Sequence, residues 1–178
     1  MTPRIPPAWM PECPPGSVRR LILHWTAGGY KAGSLDKKHY HYLIEGSGNH
    51  VRAVDVRRNC PLDKDRYAAH TLNANGGAIA VAVCCMFGAR QSPFHGGKFP
   101  MKRSQWNALI IAAADLCRRY DIPVTRETVL GHGEVQRNLG ISQNGKWEFV
   151  LPWEPTLTVP LVGDMLRRRV ALAIEQGV

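Results

Sequence analysis

The stretch Leu21-Ile22-Leu23-His24-Trp25-Thr26-Ala27-Gly28-Gly29 decides how this chain folds. The run from Val18 to His24 reads as a buried strand, and Gly28 and Gly29 let the backbone turn sharply after it. A histidine that closes such a run sits where α/β sheets gather chemistry, at a strand end. Far along the chain the pattern returns: Thr128 to Leu130 predicts a short strand leading into Gly131-His132-Gly133-Glu134.

Between these points the pattern alternates strand and helix. Lys31 to Lys38 suggests a short helix. His39 to Glu45 predicts a strand with Tyr40, Tyr42 and Ile44 on one face and His39, His41 and Leu43 on the other. Gly46-Ser47-Gly48-Asn49 is turn chemistry, and His50 to Val56 is the return strand of a hairpin. Ala78 to Phe87 is apolar enough for a central strand. After a Gly- and Pro-containing loop from Gly88 to Pro100, Ser104 is expected to cap a helix. Trp106, Leu109, Ile110, Ala113, Leu116, Cys117 and Tyr120 follow the helical period there. A last helix is expected over Pro160 to Gln176, with Leu161, Met165, Leu166, Leu172 and Ala173 inward. The fold class is α/β: a single domain with a mixed central β-sheet of about five strands flanked by helices. Residues 1–16, with six prolines, read as an arm on the surface; residues 17–178 read as the catalytic domain.

The chain has 178 residues, 44% hydrophobic and 21% charged, the make-up of a globular domain. No run approaches the roughly 20 apolar residues that span a bilayer, and the start lacks the apolar core of a signal peptide. Synthesis in the cytoplasm is the expectation, with any action elsewhere requiring release by something else. Cys13, Cys60, Cys84, Cys85 and Cys117 lack metal-like spacing and are expected to be free thiols. The net charge of +9 favours polyanionic partners in general. No nucleic-acid motif accompanies it, so no nucleic-acid partner is expected, and a monomer is.

Two imidazoles and a carboxylate can hold zinc with one position left for water. His24 and His132 are the candidate imidazoles. Glu134 and Glu148 are rival carboxylates: Glu134 points the same way as His132 in an extended segment, or it orients an imidazole from behind.

The chain resembles the zinc-dependent N-acetylmuramoyl-L-alanine amidases, the superfamily of phage lysozyme-like amidases and peptidoglycan recognition proteins. The matching pieces are Leu21 to Ala27, Tyr40-His41-Tyr42-Leu43-Ile44, Ala69-His70, Ala78 to Val83, Gly131 to Val135 and Lys146-Trp147-Glu148, in the family's order. The resemblance implies zinc held by His24, His132 and Glu148, with Tyr40 and Lys146 catalytic. It departs from the family where Glu148 stands in place of cysteine or aspartate, and where Gln136 to Gly145 adds a loop. The implied substrate is peptidoglycan, both glycan strand and stem peptide, cut at the amide between N-acetylmuramic acid and L-alanine by a phage or prophage endolysin. The alternative is a binding module on the same fold that does not cut.

Other side chains have two readings. Trp25 is either a floor for the substrate or core. His70 either contacts glycan or stem peptide, or occupies a turn. His41 is expected to pack or to support the site, and His39, His50 and His95 to lie on the surface or in loops.

Overall fold

The computed structural model describes residues 3–177, so Met1 and Thr2 of the arm and Val178 at the end of the catalytic segment lie outside it. Five strands form one sheet: β1 (Arg20–Trp25), β2 (Tyr42–Ile44), β3 (His50–Arg52), β4 (Ala78–Val83) and β5 (Val129–Gly131), in the order β3-β2-β4-β1-β5. β4 is central, β1 runs parallel to both β4 and β5, and only the β2–β3 hairpin is antiparallel. Helices α1 (Asp36–His39), α2 (Arg103–Tyr120), α3 (Val135–Leu139) and α4 (Val159–Glu175) complete the domain.

The two faces of the sheet differ. Leu21, Leu23 and Trp25 of β1 and Ile79, Val81 and Val83 of β4 join α2 and α4 in one large apolar core. The other face carries Ala78, Ala80 and Ala82 from β4, in register with Arg20, Ile22 and His24 of β1. Small side chains there leave room for imidazoles. Among the described residues, two small apolar clusters form on that face, around Ile22 and Leu130 and around Leu43 and Ala82.

Several expected boundaries move. α1 is a single turn, and β2 begins at Tyr42, so alternation stops short of Tyr40. Tyr40 therefore packs with Leu43 and Ala82, on the face opposite Tyr42 and Ile44. The return strand is only three residues long, and Val56 starts a 3-10 turn. α2 begins one residue before Ser104. Gln105 caps it instead, its Oε1 accepting from the Lys102 amide at 3.1 Å.

In α4 the inward residues are Val162, Gly163, Leu166, Arg167, Val170 and Ala173, while Leu161 and Leu172 are exposed. The helix is rotated from the expected face because Gly163 and Arg167 both dock against Glu134. His50 is not a surface residue: both ring nitrogens are buried in β3, and burial lowers its pKa. The arm is more than a surface strap. Ile5 and Met10 enter the large core, Tyr42 Oη donates to the Trp9 carbonyl at 2.7 Å, and Tyr120 Oη donates to that of Pro11 at 2.8 Å. All five cysteines are free thiols, four of them buried. No described helix is long and apolar enough to cross a membrane.

Candidate metal centre

Leu23 of β1 is in register with Gly131 of β5, so the next residues, His24 and His132, leave adjacent parallel strands side by side. Leu23 faces the large core, and alternation turns His24 to the alanine-lined face. The two rings lie 4.7 Å apart between centroids and are edge-on.

Glu148 reaches them through a backbone contact that the flanking glycines allow. The Gly133 amide donates to the Glu148 carbonyl at 2.8 Å. A Cβ on Gly133 would lie 2.6 Å from that oxygen, and one on Gly131 would lie 2.8 Å from it. Any larger residue at either position would push the 147–149 segment away. As built, Glu148 Oε1 lies 3.5 Å from His132 Nδ1. One ligand atom from each of His24, His132 and Glu148 falls within 4.8 Å of the others, and all three residues are buried.

Glu134 goes elsewhere. It accepts from the Gly131 amide at 2.9 Å and from Arg167 at 2.9 and 3.1 Å. Its carboxylate lies directly over Gly163, where a Cβ would collide with it. Glu134 thus closes a buried ion pair with α4, and Glu148 is the carboxylate that groups with the two imidazoles.

The remaining candidates surround the cluster. A cavity of about 330 Å³ is lined by Trp25, Thr26, Ala27, Tyr40, His70, His132 and the segment 144–148. Tyr40 lies 5.2 Å from His24 between ring centroids. Burial, with Glu148 and Asp36 adding to it, pushes its phenol pKa well up, so Oη keeps its proton. Lys146 is exposed at the mouth. Trp25 lines the cavity while packing edge-on against Trp147 and Phe149.

His70 backs His24, its Nδ1 3.2 Å from His24 Nε2 and 2.8 Å from Thr71 Oγ1. His41 is fully buried, 5.8 Å from the His70 ring, with Nε2 3.0 Å from Asn59 Oδ1 and Nδ1 accepting from the Ala80 amide. Burial drives the pKa of His24 and His70 well down and that of His41 to about 4. These three rings are therefore neutral at physiological pH, the state in which an imidazole nitrogen keeps a lone pair for a metal.

The donor set fits a divalent cation. Glu148 is a buried carboxylate with no lysine or arginine in ion-pair range among the described residues, set beside the imidazoles of His24 and His132. Sequence reasoning missed Gln143, whose Oε1 lies 2.8 Å from His132 Nε2. A glutamine in a polar loop carries no periodic signal that would single it out.

The fold and cluster define an α/β domain with a metal-competent His-His-Glu centre at the carboxyl ends of its parallel strands. The model of the N-acetylmuramoyl-L-alanine amidase family (Amidase_2) matches residues 14–147, and the chain belongs to that family. Membership supports amidase activity. The match ends one residue before Glu148.

Solved structures add similarity of fold. The Ph2119 endolysin from a Thermus scotoductus bacteriophage is 15% identical with a TM-score of 0.50, covering 89% of this chain and 88% of that one. The N-acetylmuramyl-L-alanine amidase AmiD from E. coli was solved with the substrate anhydro-N-acetylmuramic acid-L-Ala-D-gamma-Glu-L-Lys. It is 21% identical, TM-score 0.48, covering 69% of this chain. The present chain spans about half the length of that structure, 51%. Drosophila peptidoglycan recognition protein SD is 18% identical, TM-score 0.43, covering 74% and 83% of the two chains. No curated protein sequence matches significantly.

Proposed function

We propose that this chain is a zinc-dependent N-acetylmuramoyl-L-alanine amidase of the endolysin kind, hydrolysing the amide between N-acetylmuramic acid and L-alanine in peptidoglycan. The observation that carries the reading is the convergence of His24, His132 and Glu148 on one point beside a polar cavity. Those three residues would hold the ion. Zinc, when bound, polarises a carbonyl and lowers the pKa of water towards about 7.

The chain's own groups supply the rest. An amide carbonyl entering the cavity gathers negative charge on its oxygen as it is attacked. The Lys146 ammonium at the mouth and the protonated Tyr40 Oη beside His24 are placed to stabilise that charge. Trp25 and Trp147 form an apolar wall against which a sugar or peptide face can rest. His70 acts behind His24, so its part is to hold that ring rather than to read the substrate. A module that only bound peptidoglycan would have no use for a buried carboxylate turned onto two imidazoles. The catalytic unit is residues 17–178, onto whose core the arm of residues 1–16 docks through Ile5 and Met10.

The test is digestion of purified peptidoglycan with product analysis by mass spectrometry. The expected products are peptides beginning at L-alanine and glycan strands with free lactyl carboxylates, abolished by chelator and restored by zinc. Cleavage within the glycan, or activity indifferent to chelator, would contradict the reading.

A further inference from the structure

We propose that Gln143, in the loop added between His132 and Lys146, is a positioning residue that fixes the tautomer of His132. This deepens the metal-centre reading and rests on it.

The amide of Gln143 has its orientation set by chemistry. Its Nε2 donates to the Leu72 carbonyl at 2.9 Å, and a carbonyl only accepts. The amide oxygen must therefore face His132, where Oε1 lies 2.8 Å from Nε2. An amide oxygen also only accepts, so Nε2 is the ring nitrogen that must carry a hydrogen. Nδ1, the atom that faces Glu148 at 3.5 Å, is then the nitrogen left to offer a lone pair to a metal. A ring with the opposite tautomer would present N–H where the metal has to bind.

Gln143 is itself held. It is 4% exposed, and its backbone amide donates to Gln136 Oε1 at 3.1 Å, which ties the loop to α3. Leu72 follows Thr71, whose hydroxyl meets the His70 ring that backs His24. The supports of both imidazoles therefore join in the segment 70–72. Of the stretch expected as a loop from Gln136 to Gly145, Gln136 to Leu139 lie in α3; residues 140–145 that follow act as a brace on the centre, with Gln143 as its contact.

Zinc affinity by chelator competition and 15N NMR of the His132 ring in metal-free protein test this, on wild type, Gln143→Met and Gln143→Glu. Gln143→Met keeps the length and loses the acceptor; it is expected to bind zinc about 10–100-fold more weakly and to lose the single Nε2–H tautomer. Gln143→Glu keeps an acceptor oxygen towards Nε2 but loses the donor to the Leu72 carbonyl, so it is expected to retain the tautomer and to recover part of the affinity lost in Gln143→Met. A general loss of folding would lower both variants alike, which the Gln143→Glu rescue excludes. Wild-type affinity and an unchanged ring spectrum in Gln143→Met would overturn the proposal. Wild-type protein that binds no zinc would sink the amidase reading instead, and the nitrogen spectrum would still show whether Gln143 holds the ring.

Discussion

Glu134 and Glu148 are both buried and both sit against the turn at His132, yet the regions they enter treat a carboxylate in opposite ways. Towards α4, Glu134 meets the Arg167 guanidinium and the Gly131 amide, so its charge is neutralised inside the protein. Towards the cavity, Glu148 meets His132 and the Trp147 amide and finds no cationic side chain in range among the described residues. Burying an unpaired charge is costly. A buried carboxylate with no lysine or arginine beside it suits the cation proposed for this site. The first carboxylate serves the fold and the second serves the proposed chemistry.

Substitutions at the two positions should separate most widely in activity. Glu148→Ala is expected to lose bound zinc and to drop peptidoglycan hydrolysis below about one thousandth of wild type. Its metal-free melting temperature should be unchanged or higher, because an unpaired buried charge is gone. Zinc content, hydrolysis rate and thermal melts measure all three. Zinc retention by this variant would erase the distinction between the two glutamates.

Still on the cavity side, Lys146→Ala and Tyr40→Phe each remove one donor to the developing oxyanion. Each should lower kcat by about 100–1,000-fold with zinc content intact, as judged by steady-state kinetics beside metal analysis. A change confined to KM would mean that these groups hold substrate and do not act in the reaction.

On the α4 side, Glu134→Ala leaves Arg167 buried with only Asp164 to pair with. Chemical denaturation should show a loss of about 3 kcal/mol, while the folded variant keeps its zinc. Equal stability would show that the ion pair contributes little.

The smallest effect concerns Asp164, which Arg126 and Arg167 hold at a pKa of about 2. A folded pKa below the unfolded one contributes stability that is present above the unfolded value and lost as pH falls through the folded one. The contribution should therefore fade between about pH 4 and 2. Asp164→Asn should flatten the melting temperature over that window, and an unchanged slope would show that the exposed pair is screened by solvent.

How much of this was legible in the sequence depends on whether a residue belongs to a repeating pattern. His24 and His132 were readable because each ends an apolar strand, and five strands in a mixed sheet followed from the same patterning. Residue types alone left Glu148 and Glu134 as rivals, and resemblance to the amidases favoured Glu148. Its place in the site depends on Gly131 and Gly133 admitting the Glu148 backbone, a contact between distant segments. Tyr40 was assigned to the wrong face because alternation was extended back through His41, where the chain bends before β2 begins at Tyr42. Arg167 stands in the run Arg167-Arg168-Arg169, which carries no inward signal, and only the tertiary pairing with Glu134 turns it inward. Gln143 left no mark in periodicity or composition, since its role consists of two hydrogen bonds across space.

The most direct test is the position of the metal itself, from an anomalous difference map at the zinc edge on crystals of the zinc-loaded protein. The account predicts one peak, about 2.0–2.2 Å from a nitrogen of His24, Nδ1 of His132 and a carboxylate oxygen of Glu148. A peak at Glu134, or none among these three side chains at full zinc loading, would contradict it.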